Sequence, residues 1–120
     1  MTQKLLFLVF SHDACRVRHA LMYALDLARH GHQVRIILEG EATALLGDRA
    51  GRLAELLGEA VAENLVEGAC ATAARGCATG DALRNLTRAA EEAGLTLLGD
   101  LDGHAGIERF VQAGYQVVTF

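Results

Sequence analysis

The chain alternates between short apolar runs and longer stretches whose apolar residues recur every three or four positions. The apolar runs, which predict β-strands, span residues 5–10, 34–38, 61–69, 95–98 and 115–120. Helical spacing covers 17–28, 82–93 and 107–111, and less regularly 41–59, where a break is expected near Gly47 or Gly51. Strands that alternate with helices predict the α/β class. We therefore expect a three-layer α/β/α sandwich around a mostly parallel five-stranded sheet.

Length and composition indicate one domain with its own core. The 120 residues contain no linker, repeat or low-complexity tract, so residues 1–120 should form a single domain. Hydrophobic residues make up 52% of the chain, which excludes a disordered composition. The net charge of −4 argues against nucleic-acid binding, because non-specific binding to phosphates requires a basic surface.

The opening of the chain is apolar but does not have the pattern of a targeting segment. Its strongly apolar run, residues 5–10, is far shorter than the ~20 residues of a membrane span. Ser11, His12 and Asp13 follow directly and interrupt the run before any signal-peptide cleavage site. We therefore expect a soluble, cytoplasmic protein with no membrane partner.

Polar and reactive side chains follow the predicted strands at the places where those strands end. These places are residues 11–16, 39–41, 70–72 and 100–104. In open parallel sheets, ligands and chemistry lie beyond the carboxyl ends of the strands. We therefore expect the four segments to share one edge of the sheet and to form the functional site there.

Cys70 is the first candidate for chemistry at this edge. It ends the third predicted strand and is followed by small residues. If a helical turn begins there, its free N–H groups would favour a thiolate and lower the thiol pKa. The alternative is a buried structural cysteine, because free cysteines are among the most often buried residues. The residues alone leave both interpretations open.

Three other side chains are candidates for supporting roles near Cys70. His104 could act as a proton acceptor or orienting group, or instead lie exposed in the first turn of a helix capped by Asp102. Cys77 is a weak candidate for a resolving thiol and otherwise an incidental loop residue. Cys15 begins the first predicted helix, where a thiolate would also be favoured, or it simply packs there.

Motifs for cofactors and metals are missing from the sequence. The three cysteines form no C-x-x-C pair, and the histidines and cysteines show no close ligand spacing, so no metal site is predicted. The loop after the first strand matches neither G-x-G-x-x-G nor G-x-x-x-x-G-K-S/T. We therefore predict no bound cofactor.

The segment 70–76 reads CATAARG, and it resembles the cysteine segment of the DsrE/TusD (DsrE/DsrF/DsrH) sulfur-relay superfamily. In that superfamily a cysteine at the end of the third strand is followed by small residues and an Arg-Gly pair. Three further features agree, namely a first helix ending in Gly31-His32, a Glu39-Gly40 turn and the terminal run 117–120. The chain departs from many relatives at Ala73, where they have the second cysteine of a C-x-x-C arrangement.

The resemblance implies a flavodoxin-like, DsrE-like fold and a role in sulfur relay. Cys70 matches the cysteine that carries sulfur as a persulfide and exchanges it with donor and acceptor proteins. A homo-oligomer, either a trimer or a hexamer, is also implied, and the high apolar content favours self-association. The alternative function is an oligomeric binding module with a structural cysteine, which would take an anion at the helix start within residues 11–18.

Overall fold

The computed structural model describes residues 1–47, 50–77 and 86–120, with Cys77 described by its backbone alone. Its centre is a five-stranded sheet in which all strands are parallel. The strands are β1 (Lys4–Val9), β2 (Gln33–Leu38), β3 (Val66–Cys70), β4 (Leu97–Leu98) and β5 (Gln116–Thr119). Their order across the sheet is β4-β3-β2-β1-β5. The predicted α/β class and its five-stranded parallel sheet are confirmed.

Helical segments connect the strands and cover both faces of the sheet. They are α1 (Ala14–Arg29), a 3₁₀ segment (Gly40–Gly47), α2 (Arg52–Ala62), a π-type turn (Ala73–Cys77), α3 (Thr87–Glu92) and α4 (Glu108–Gln112). Helices α1, α2 and α3 contribute to the buried cluster on one face, and α4 contributes to the cluster on the other. The sandwich therefore has three layers, of which the α4 layer is the thinner.

Strand β1 shows why its sequence is an unbroken apolar run. It lies inside the sheet, between β2 and the edge strand β5. Phe7 and Val9 belong to the cluster beneath α1 and α2, whereas Leu6 and Leu8 belong to the cluster beneath α4. Because both faces of the strand are buried, both alternating sets of positions are apolar.

The apolar run 61–69 forms a strand over its second half only, so the predicted start of that strand is wrong. Val61 lies in the last turn of α2, one turn beyond Leu57. The chain then turns at Asn64, which has a φ of 59°, and β3 begins at Val66. The i, i+4 spacing of Leu57 and Val61 continues the apolar stripe of the helix, and this outweighs the β-propensity of valine.

The helix predicted over 82–93 corresponds to α3, which begins at Thr87. Residues 82–85 lie outside the described residues. The longest helix is α1, with 16 residues. In the part of the chain that the structure describes, no helix combines the length and apolar character needed to cross a membrane.

An irregularity in β3 decides which way its last residues face. Ile36 of β2 pairs with Val66, but the next residue, Ile37, pairs with Gly68, so β3 contains one extra residue at Glu67. Such a bulge shifts the alternation of side chains by one position. The Cys70 side chain therefore joins the cluster beneath α4 rather than the cluster beneath α1.

Candidate functional site

Three side chains with different donor atoms converge at the carboxyl edge of the sheet. Glu39 directly follows β2, Cys70 is the last residue of β3, and His104 lies in the loop after β4. Strands β2, β3 and β4 are neighbours in the sheet. A carboxylate oxygen of Glu39, Sγ of Cys70 and a ring nitrogen of His104 all lie within 4.8 Å of one another. The edge predicted from the strand ends therefore contains a compact cluster, which we call the Glu39–Cys70–His104 group.

The thiol of Cys70 lies at the centre of this group. Cys70 is fully buried, with 0% of its surface exposed, and its Sγ lies 3.3 Å from Nδ1 of His104. The backbone N–H of Ala73 points at Sγ from the following helical turn, at 3.5 Å. The structure thus brings the predicted cysteine and histidine into hydrogen-bonding distance.

The loop that carries His104 is held by contacts on both sides. The backbone N–H and the hydroxyl of Thr72 both donate to the carbonyl of Gly103, at 3.0 and 2.7 Å. Gly103 has a φ of 85°, and a Cβ there would lie 2.7 Å from the Thr72 hydroxyl, so glycine is required. On the other side, the N–H of Gly106 donates to a carboxylate oxygen of Asp100 at 3.0 Å. These contacts fix the position of His104 relative to Cys70.

The alternative placement of His104 in the first turn of a capped helix is wrong. Asp102 lies in a turn with a φ of 51°, and His104 pairs with Leu101 in an isolated β-bridge. The next helix, α4, begins only at Glu108 and has no side-chain cap. His104 is exposed, as that alternative also expected, but its Nδ1 is turned towards Cys70.

Glu39 is the member of the group that the sequence did not single out as a site residue. It is half-buried, and one of its carboxylate oxygens accepts the N–H of Gly40 at 3.2 Å. Among the described residues, none of the ion pairs involves Glu39. Its place directly after β2 was the available signal, but the sequence does not reveal that β2 and β3 are neighbours.

The surroundings of Cys70 raise the pKa of its thiol. Burial is the largest cause, and Glu39 adds to it through its negative charge and by accepting a hydrogen bond from the thiol. The backbone N–H groups of Ala73 and Ala105 act in the opposite direction and lower the pKa. The prediction of a lowered thiol pKa is therefore wrong: a helical turn does follow Cys70, but burial outweighs it.

Of the other two cysteines, the structure describes the side chain of Cys15 alone. Cys15 is exposed in the first turn of α1, where its Sγ lies 3.7 Å from Nδ1 of His19. The predicted contribution of Cys77 falls on a side chain outside the described residues. Neither prediction of a role for these thiols is tested by the geometry.

The start of α1 already has a carboxylate at the place where an external anion was predicted. The side chain of Asp13 accepts the N–H of Arg16 at 3.0 Å, and Ser11 in turn accepts the N–H of Asp13 at 2.9 Å. His12 pairs with Glu41 at 2.9 Å beside it. A helix start that is capped by its own aspartate has fewer free N–H groups and less net attraction for a bound anion.

Comparison with known proteins identifies no relative, since no family model, no curated protein and no solved structure matches this chain. The geometry of the site and the sequence segment around Cys70 are the indications of function. A buried thiol beside an imidazole can be deprotonated at the moment of reaction, because the ring nitrogen accepts the proton. The group also offers sulfur, nitrogen and oxygen donors to a single point in space.

Proposed function

We propose that this protein is a cytoplasmic sulfur carrier that holds a sulfur atom on Cys70 as a persulfide and passes it to a partner protein. The observation that carries the proposal is the 3.3 Å contact between Sγ of Cys70 and Nδ1 of His104 at the carboxyl edge of the sheet. The resemblance of segment 70–76 to the DsrE/TusD superfamily supplies the reaction class. Transfer of sulfur requires a nucleophilic sulfur and an acceptor for its proton, and this pair provides both.

In the proposed step, Sγ attacks the outer sulfur of a donor persulfide while the thiol proton moves to Nδ1 of His104. The sulfur–sulfur bond of the donor breaks, and its electron pair leaves with the donor thiolate, which then takes the proton. The products are the Cys70 persulfide and a donor thiol. The outer sulfur changes only its attachment, so the step consumes no oxidant or reductant.

Cys70 is fully buried, whereas His104 beside it is exposed. The proposal therefore requires the imidazole of His104 to move aside so that a donor sulfur can reach Sγ. The persulfide lengthens the Cys70 side chain by one sulfur–sulfur bond of about 2.05 Å.

A second candidate function is a non-catalytic binding module in which Cys70 is structural. The observation that favours it is the complete burial of Cys70 together with the raised pKa of its thiol, since both reduce the reactivity of a cysteine. The two candidates differ in one property: only a carrier takes up a removable sulfur atom at Cys70.

The experiment compares sulfur loading in two proteins that both lack the exposed Cys15, which would otherwise react with polysulfide itself. Cys15→Ser and Cys15→Ser/Cys70→Ala are incubated with inorganic polysulfide, desalted and treated with cyanide, which releases a persulfide sulfur as thiocyanate. We expect about one thiocyanate per chain from Cys15→Ser and almost none from Cys15→Ser/Cys70→Ala. Equal release from the two proteins would reject the carrier and favour the structural cysteine.

A further inference from the structure

The Glu39–Cys70–His104 group has the composition of a transition-metal site. Cys sulfur, His nitrogen and a carboxylate oxygen are the three donor types that bind Zn²⁺ in proteins. Cys70 ends β3, Glu39 directly follows β2, and His104 lies in the loop after β4, which is held to the segment after β3 by Thr72. The three strands are neighbours in one sheet. Donors that are distant in sequence are thus held on a common rigid support, which is the arrangement that favours a defined coordination geometry.

The distances agree with a tetrahedral ion between the donors. Zinc–sulfur bonds of about 2.3 Å and zinc–nitrogen bonds of about 2.0–2.1 Å place sulfur and nitrogen roughly 3.5 Å apart at the tetrahedral angle. The measured distance from Sγ of Cys70 to Nδ1 of His104 is 3.3 Å, and all three donor atoms lie within 4.8 Å of one another.

Charge and hydrogen bonding around the group also favour a cation. The half-buried carboxylate of Glu39 faces the thiol, and within the described residues no lysine or arginine pairs with it. A divalent cation would neutralise one carboxylate and one thiolate. The N–H of Ala73 points at Sγ and Thr72 holds the loop before His104, which are the outer contacts that orient metal ligands.

We propose that Glu39, Cys70 and His104 bind a Zn²⁺ ion, with its fourth position open on the exposed side of His104. Binding releases the thiol proton, because the thiolate is the form that ligates metal. The ion binds Sγ of Cys70, the same atom that the proposed carrier function requires. Bound Zn²⁺ therefore prevents Cys70 from taking up sulfur. The metal site does not rest on the proposed function, since ion binding requires no sulfur donor.

Metal titration of the chelator-stripped protein tests this inference. All proteins carry Cys15→Ser, because the exposed Cys15 and His19 form a second thiol–imidazole pair that would bind added metal. Zn²⁺ is titrated by calorimetry, and Co²⁺ by visible absorption, in which a cobalt–thiolate bond gives a charge-transfer band. We expect one Zn²⁺ per chain and a cobalt–thiolate band.

Ligand and control variants decide which residues are responsible. Glu39→Gln and His104→Gln should each weaken Zn²⁺ binding at least ~10-fold, because loss of even an outer contact costs about 10- to 100-fold. Glu41→Gln is the matched control, since Glu41 is a neighbouring exposed carboxylate outside the group. Circular dichroism of each variant establishes that it is folded. Absence of Zn²⁺ binding, or equal affinity in Cys15→Ser and Cys15→Ser/Glu39→Gln, would overturn the proposal.

The same variants separate this inference from the proposed function. Glu39→Gln should lose Zn²⁺ but, in the presence of chelator, should load sulfur at least as fast as its Cys15→Ser parent, because removing the negative charge of Glu39 favours the Cys70 thiolate. Added Zn²⁺ should slow sulfur loading of the Cys15→Ser protein and leave the rate in Cys15→Ser/Glu39→Gln almost unchanged. If Zn²⁺ slowed sulfur loading equally in both proteins, the result would contradict a metal site that includes Glu39.

Discussion

At the scale of single residues, two opposing effects act on the Cys70 thiol. The N–H groups of Ala73 and Ala105 favour the thiolate, whereas burial and the carboxylate of Glu39 favour the neutral thiol, and the second pair prevails. The sequence was sufficient to place Cys70 and His104 at the same edge, because strand ends can be located from apolar runs. The sequence does not predict that Cys70 is buried or that it contacts Glu39, because both depend on how the strands pack together.

Because its pKa is raised, the Cys70 thiol should react rapidly only at alkaline pH. Below its pKa the thiol stays protonated, so alkylation should be slow at neutral pH and should accelerate only above the ordinary cysteine value of ~8.5. Cys15 is exposed and serves as the internal comparison. Alkylation followed by peptide mapping should find Cys15 modified first at pH 7. Equal rates at the two cysteines at pH 7 would contradict the burial and the raised pKa of Cys70.

His104 should accelerate sulfur loading without being needed for folding. Gln keeps a polar side chain but cannot take up a proton at neutral pH, so His104→Gln should slow sulfur loading by about 100-fold or more, as expected for loss of a general base. His30→Gln is the control, because His30 is exposed and its ring contacts Asp26 in the last turns of α1. Stopped-time thiocyanate assays in chelator measure both rates. An unchanged rate in His104→Gln would remove the imidazole from the mechanism.

At the scale of elements, β3 determines the site more than any other strand. The predicted runs for β1, β2 and β5 agree with the observed strands to within a residue or so at each end, because those strands are regular. In β3 the extra residue at Glu67 turns Cys70 to the α4 face. The Glu67 carboxylate pairs with Arg35 of β2 and with Arg109 of α4, at 2.6 and 3.1 Å. A bulge depends on how two strands pair, so the sequence of β3 alone does not reveal it.

Gly68 should be sensitive to the addition of a single methyl group. A Cβ at this position would lie 2.2 Å from the carbonyl oxygen of Thr96, a backbone atom of the neighbouring β4 connection. Gly68→Ala should therefore destabilise the protein by about 1–3 kcal/mol, the usual cost of overpacking. Urea unfolding gives the free energy of unfolding.

Gly58→Ala provides the matched control for this substitution. Gly58 lies inside α2, is exposed, and a Cβ there meets nothing within 4 Å. The same change should therefore stabilise the protein by roughly 0.5–1 kcal/mol, because alanine is the better helix former. A Gly68→Ala protein as stable as Gly58→Ala would show that β3 and the β4 connection are not packed as described.

At the scale of the whole molecule, the two faces of the sheet are covered unequally. Within residues 1–47, 50–77 and 86–120, helices α1, α2 and α3 contribute to the buried cluster on one face, and α4, with five residues, contributes to the cluster on the other. Large apolar side chains remain exposed at Val111 of α4, at Val117 of the edge strand β5 and at Leu101. Exposed apolar surface on a small protein commonly marks a contact with another molecule. The strand order, and hence this asymmetry, could not be deduced from the sequence.

The homo-oligomer stays a prediction, based on the apolar composition and on the resemblance to proteins that assemble as trimers and hexamers. Light scattering coupled to gel filtration should give a mass of three or six chains of 12.8 kDa at micromolar concentration. A monomer mass across that range would contradict self-association. A dimer would contradict only the three-fold assembly that the resemblance implies.

The central claim, that Cys70 carries a transferable sulfur atom, is tested most directly by mass spectrometry. The Cys15→Ser protein is loaded with inorganic polysulfide in the presence of chelator, and its intact mass is measured before and after reduction, followed by peptide mapping. We predict a gain of a single sulfur atom that lies on the peptide containing Cys70, disappears on reduction and is absent from Cys15→Ser/Cys70→Ala. A Cys15→Ser protein that gains no sulfur, or gains it equally when Cys70 is also replaced, would contradict the account.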